Sequence, residues 1–125
     1  MPFVHVVAML AIVQFLMFGI LVGRAREKHG VKAPATSGNE HFERALRVQM
    51  NTLEQLVCFL PALFVAALYW SPTLVAILGV VYLAGRFVYW RAYVANPSTR
   101  AVGFLLTVVP TFVLVLLALF GALFR

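Results

Sequence analysis

At 125 residues, 63% of them hydrophobic and 11% charged, the chain lies well above the apolar content of a soluble domain, about 45 to 50%, and reads as an integral membrane protein without a soluble domain. Its formal charge of +6 falls on basic residues scattered near helix ends rather than gathered on one aromatic-laced surface, which argues against a nucleic-acid partner. The single cysteine, Cys58, excludes an intrachain disulfide, and the three histidines have no metal-ligand spacing, so no metal site is expected.

Runs free of Asp, Glu, Lys and Arg cover Met1 to Gly23, Gln55 to Gly85 and Ala101 to Phe124. About 20 apolar residues cross a bilayer as a helix, and the middle run continues past both ends into two helices. Four spans are therefore predicted, at 3–23, 42–69, 72–94 and 97–123, forming one all-α, up-and-down four-helix domain over 1–125. The first span carries only Gln14 as a strongly polar group and lacks the basic start and cleavage site of a secretory signal, so it is expected to be a retained structural helix. Arg24, Arg26, Lys28 and Lys32 follow it, and read most simply as topology determinants. Gly30 to Asn39 is rich in Gly, Pro, Thr and Ser, which marks a flexible loop able to cover a site, with Asn39 capping the next helix.

The second span opens on a ladder: Glu43, Arg44, Arg47, Asn51 and Glu54. At 100° per residue Arg44, Arg47, Asn51 and Glu54 share one face. Ionisable groups at membrane depth are costly and usually face a bundle interior or a wet cavity, which makes this stripe the first candidate site. Pro61 predicts a kink, Cys58 is expected to pack in its apolar run, and Tyr69-Trp70-Ser71-Pro72 marks the opposite interface. The third span repeats the pattern with Tyr82, Arg86, Tyr89 and Tyr93 on one narrow arc, Tyr82 and Tyr89 being equally readable as packing aromatics. Asn96-Pro97 restarts a helix and puts Arg100 in the opening turn of the fourth span, where the N-terminal end favours anions; Pro110 is expected to bend that helix. Both basic loops are assigned to the cytoplasm and both termini to the far side.

Arg47, Asn51, Glu54, Arg86, Tyr89, Tyr93 and Arg100, with Arg24 or Arg26 approaching from the first span, would suit a small anion that also carries an ammonium. Arginines bind carboxylates bidentately, an unpaired glutamate takes an amine, and phenols and amides orient the rest. Arg47 to Glu54 covers about 10 Å of helix axis, close to the length of an extended tripeptide, which glutathione fits. Two alternatives stay open on the same residues: a buried ion pair of Glu54 with Arg47 or Arg86 that merely fixes packing, and a small proton-coupled exporter using Glu54 as its one membrane carboxylate.

The segment Phe42-Glu43-Arg44-Ala45-Leu46-Arg47-Val48-Gln49-Met50-Asn51-Thr52-Leu53-Glu54 resembles the E-R-x-x-R-x-x-x-N-x-x-E signature of the membrane-associated proteins in eicosanoid and glutathione metabolism. Tyr82 to Arg86, Tyr89, Tyr93 and Arg100 are similar to that family's third-helix tyrosines and fourth-helix arginine. The resemblance, which covers most of the chain, implies a homotrimer in the lipid bilayer with glutathione as co-substrate between neighbouring subunits. It implies glutathione binding by Arg26, Arg47, Gln49, Asn51, Glu54, Arg86, Tyr89 and Tyr93. Arg100 would be catalytic, activating the thiolate against a lipophilic electrophile or hydroperoxide, as a transferase or peroxidase. A non-catalytic lipid-binding scaffold on the same fold is the alternative. Gln55, where the leukotriene-synthesising members carry an aromatic, and Arg26-Glu27, where they have paired arginines, weaken the case for a leukotriene epoxide as substrate.

Overall fold

The computed structural model describes residues 1–125 as four long helices: α1, Pro2–His29; α2, Glu40–Tyr69; α3, Pro72–Ala95; and α4, Ala101–Phe124, with a 3-10 turn at Pro97–Thr99 before α4. All four are long and apolar enough to cross a membrane. They alternate in direction: Arg44 near the start of α2 donates to the Val94 and Ala95 carbonyls at the end of α3, and Trp70 after α2 donates its indole N–H to Leu117 O near the end of α4 at 2.7 Å. The pair α2 and α3 forms the middle of the bundle, with α1 packed on one side of it and α4 on the other.

Four helices lie where the four spans were predicted, and two boundaries are corrected. Helix α1 runs on to His29 instead of stopping at Gly23, ending where Gly30 takes a left-handed conformation (φ 68°) and returns its N–H to Arg26 O. Arg24, Arg26 and Lys28 thus sit on helical turns, which sorts them by face: Arg24 and Lys28 on one side, Arg26 on the other. Asn39 caps α2 as predicted, its Oδ1 accepting from His41 N at 2.9 Å and Phe42 N at 3.1 Å. Asn96-Pro97 starts a turn with i to i+3 bonds, Thr99 N to Asn96 O and Arg100 N to Pro97 O, not α4 itself. Arg100 is consequently the N-cap residue of α4 and not part of its first turn.

Pro61 and Pro110 lie inside helices that run unbroken past them. Cys58, expected to pack inside, faces outward. The core gathers around Val4, Ala8, Phe59, Leu63, Val75 and Leu114, while Phe3, Val13, Ile20, Leu68, Phe112 and Leu119 are exposed. Such an apolar exterior belongs in lipid, where helices gain little by hiding apolar surface and associate instead through close packing and hydrogen bonds. Glycine does this between α3 and α4: a Cβ on Gly85 would lie 2.7 Å from the Leu106 carbonyl carbon, and one on Gly103 would collide with the backbone of Tyr89. The two helices touch backbone to backbone there, which holds Arg100 close to the tyrosines of α3.

Candidate functional site

The site is built on a buried knot. Arg86, on α3, has no exposed surface, and no carboxylate partners it. Its Nη1 donates to Asn51 Oδ1 at 2.8 Å and Thr52 Oγ1 at 3.1 Å, and its Nε donates to Thr107 Oγ1 at 3.1 Å. Three helices are thereby tied together by one guanidinium. Thr52 and Thr107 can accept because their own hydroxyl protons go to the carbonyls four residues back, Val48 O and Gly103 O. The guanidinium also lies 4.3 Å from the centre of the Tyr89 ring, a cation–π contact that is strong when water is excluded. Tyr82, one turn earlier on α3, is fully buried and stacks on Phe59 at 3.8 Å between ring centres. It is a packing aromatic.

Over this knot opens a recess of about 760 Å³ between α2, α3 and the start of α4. Arg47, Asn51, Glu54, Tyr89, Tyr93 and Arg100 line it together with Gln55, Ser98, Ala101 and Phe104. The stripe on α2 contributes the first three because 47, 51 and 54 lie on one helix face. Tyr89 and Tyr93, one turn apart on α3, stack at 5.5 Å and 21°. Arg100 stands at the rim, its Nη1 donating to Pro97 O at 2.9 Å, with its remaining donors directed to no protein acceptor. Glu54 is not the free carboxylate expected of an amine site: Arg47 grips it bidentately at 3.3 and 3.4 Å. Both side chains are about half exposed (47% and 55%), so this pair is worth little to folding and is open to exchange with a ligand.

Arg86 itself lies beneath the recess instead of lining it. Gln49 and Arg26 stand apart from it within a single chain: Gln49 reaches the α1 backbone at Gly19, and Arg26 donates to Ala35 O at 2.7 Å while covering the Phe42 ring at 4.6 Å. Arg24 is turned to the opposite side of the bundle. The loop from Gly30 to Asn39 does not cover the recess either. Val31 tucks it against Val22 and Phe42, and Gly38 N–H donates to Glu43 Oε2.

Sequence reasoning missed Gln55, Ser98, Ala101 and Phe104 as lining residues, and Thr52 and Thr107 as acceptors for Arg86. A signal existed for two of them: Ala101 and Phe104 fall on the same face as Arg100 at the start of α4. The recess can hold a small zwitterion along α2, with aromatic rings on one wall and the Arg100 guanidinium at its edge.

Comparison with known proteins gives the arrangement a context. The family model described as MAPEG family matches residues 4–120. An uncharacterized protein of Synechocystis is 51% identical over 116 residues, 93% of this chain and 85% of that one. Microsomal glutathione S-transferase 2 of Homo sapiens is 37% identical over 117 residues, 94% of this chain and 78% of that one. Leukotriene C4 synthase of Cavia porcellus is 36% identical over 94 residues, 75% of this chain and 63% of that one. With nearly its whole length matched, this four-helix membrane protein belongs to the MAPEG family.

Proposed function

We propose that the protein is a glutathione-dependent membrane transferase or peroxidase, in which a bound glutathione thiolate attacks a lipophilic electrophile or hydroperoxide arriving from the bilayer. The observation that carries this reading is the convergence of Arg47, Asn51, Glu54, Tyr89, Tyr93 and Arg100 on one recess, in a chain similar to proteins named microsomal glutathione S-transferase 2 and leukotriene C4 synthase. Arg47 would release part of its hold on Glu54 to take a glutathione carboxylate, leaving Glu54 for the ammonium. Asn51, fixed by Arg86, and the two tyrosines would orient the backbone of the tripeptide. Glutathione would sit between copies of a homotrimer, and Gln49 and Arg26, both outside the recess of one chain, would be contributed by the neighbouring copy. The loop ends, with the recess, would face the cytoplasm, and the termini the other side.

Arg100 is assigned the catalytic role. A free thiol with a pKa near 8.5 is only a few per cent ionised at pH 7. A guanidinium beside the sulfur in a partly desolvated site favours the thiolate, and a drop of about two units, near 2.7 kcal/mol, makes thiolate the majority form. The exporter alternative requires a solitary carboxylate, whereas Glu54 is gripped by Arg47. The test is turnover: purified protein in detergent is expected to conjugate glutathione to a generic electrophile, and Arg100→Ala to lose rate far more than glutathione affinity. Stabilisation by glutathione with no turnover on any electrophile or hydroperoxide would favour the non-catalytic scaffold.

A further inference from the structure

A second recess, of about 410 Å³, opens at the same end of the bundle on the opposite side of the α2 and α3 pair. The helical periodicity of α3 separates the two: Tyr89 and Tyr93 face the first, while Trp90 and Val94 face this one. Its polar wall consists of Arg24, Lys28, His29 and His41, and its apolar wall includes Leu21 and Trp90; no acidic residue lines it. Arg24 and Lys28 are one turn apart on α1 and make no hydrogen bond or ion pair, although Glu27 lies between them in sequence. The other acids nearby are engaged, Glu40 by Arg44 and Glu43 by Gly38 N–H. The imidazoles of His29 and His41 stack at 5.5 Å and 23°, bridging the end of α1 and the start of α2 at the rim.

The depth of the recess fits a headgroup. Counted from Pro2, about 20 residues of α1 cross the roughly 30 Å of hydrocarbon, so Leu21 ends the acyl region and Arg24 and Lys28 follow at the level of phosphate. Trp90 beside them is the kind of residue found at that boundary. We propose that this recess binds the phosphate of an anionic phospholipid from the leaflet at the loop end of the bundle. Arg24 and Lys28 hold the phosphate oxygens, the histidine pair offers N–H donors from above, and Leu21 with Trp90 receives the glycerol and upper acyl carbons. Basic recesses between membrane helices are suited to acidic headgroups, and charge-assisted bonds from two free cations favour an anion over a zwitterionic lipid. The site shares no lining residue with the glutathione recess, so the two readings stand or fall separately.

The test is thermal unfolding of the full chain in neutral detergent with phosphatidylglycerol, phosphatidylcholine or inorganic phosphate added, paired with native mass spectrometry of retained lipid. Phosphatidylglycerol is expected to raise the melting temperature and stay bound, phosphatidylcholine and phosphate to do neither. The double variant Arg24→Gln, Lys28→Gln, at exposed side chains without protein partners, is expected to keep the lipid-free melting temperature and weaken phosphatidylglycerol roughly tenfold or more. Trp90 fluorescence should be quenched by phosphatidylglycerol with brominated chains in the parent and less so in the variant. Equal stabilisation by phosphatidylcholine, the same effect from inorganic phosphate, undiminished binding by the variant, or no response to any of the three would overturn the proposal.

Discussion

Arg86 and Arg100 are both arginines from spans whose other residues are mainly apolar, yet the bundle treats them in opposite ways. Arg86 is sealed among Asn51, Thr52, Thr107 and Tyr89, with one helix contributed by each side of the contact. Arg100 stands at an exposed helix start with one bond to its own turn. The difference lies in what each side chain could meet when the helices closed. Arg86 arose opposite hydroxyls and an amide able to accept its protons, and in lipid such bonds substitute for the hydrophobic drive. Arg100 is held in place by backbone, through the glycine contacts of α3 with α4, and its charge stays available. One arginine ties the helices together, and the other is left with free donors beside the recess.

Removing Arg86 should break this contrast most severely. Arg86→Leu leaves buried Asn51 Oδ1 without its donor and unties three helices, for a loss on the order of 3 kcal/mol or more, seen as a fall in the detergent melting temperature before any assay. Arg100→Ala should cost less than about 0.5 kcal/mol of stability, as an exposed site, while turnover at pH 7 falls about 25-fold, the drop in thiolate fraction when a thiol pKa lowered by two units returns to about 8.5. The pH profile of the residual activity should sharpen the assignment. The parent rate should already be near its plateau at neutral pH, because the thiol is ionised there, whereas the variant rate should keep rising toward the ordinary thiol pKa near 8.5. Gly103→Ala pushes a methyl into the Tyr89 backbone; parting α3 from α4 should cost about 1 to 3 kcal/mol and lower turnover with it, since Arg100 moves away from Tyr93. The smallest effect is expected from Glu54→Gln. It removes a half-exposed pair worth about 0 to 1 kcal/mol to folding, yet should raise the KM for glutathione several-fold if the carboxylate takes the ammonium.

Four spans and both polar stripes were legible because hydropathy and a 3.6-residue period are local properties of the chain. The faces of Arg47, Asn51 and Glu54, and of Tyr89 and Tyr93, followed from spacing alone. The boundary at Arg24 was misjudged because charge was taken to end a helix, whereas α1 continues to its glycine stop at Gly30; that at Arg100 was misjudged because Asn96-Pro97 was taken to start α4, whereas it starts a separate 3-10 turn. The sealed setting of Arg86 was not legible, since its acceptors come from residues 34 and 35 positions back and 21 positions ahead. The Arg47 to Glu54 grip was visible only as one of two alternatives, because periodicity places side chains on a face without saying whether they bond.

The most direct measurement is the ultraviolet absorbance of thiolate during anaerobic titration of the purified protein with glutathione at neutral pH. A saturable thiolate signal is expected in the parent, together with its loss in Arg100→Ala under conditions where the tripeptide still stabilises the protein. Saturable glutathione binding with the sulfur still protonated, or an undiminished thiolate signal without Arg100, would contradict the account.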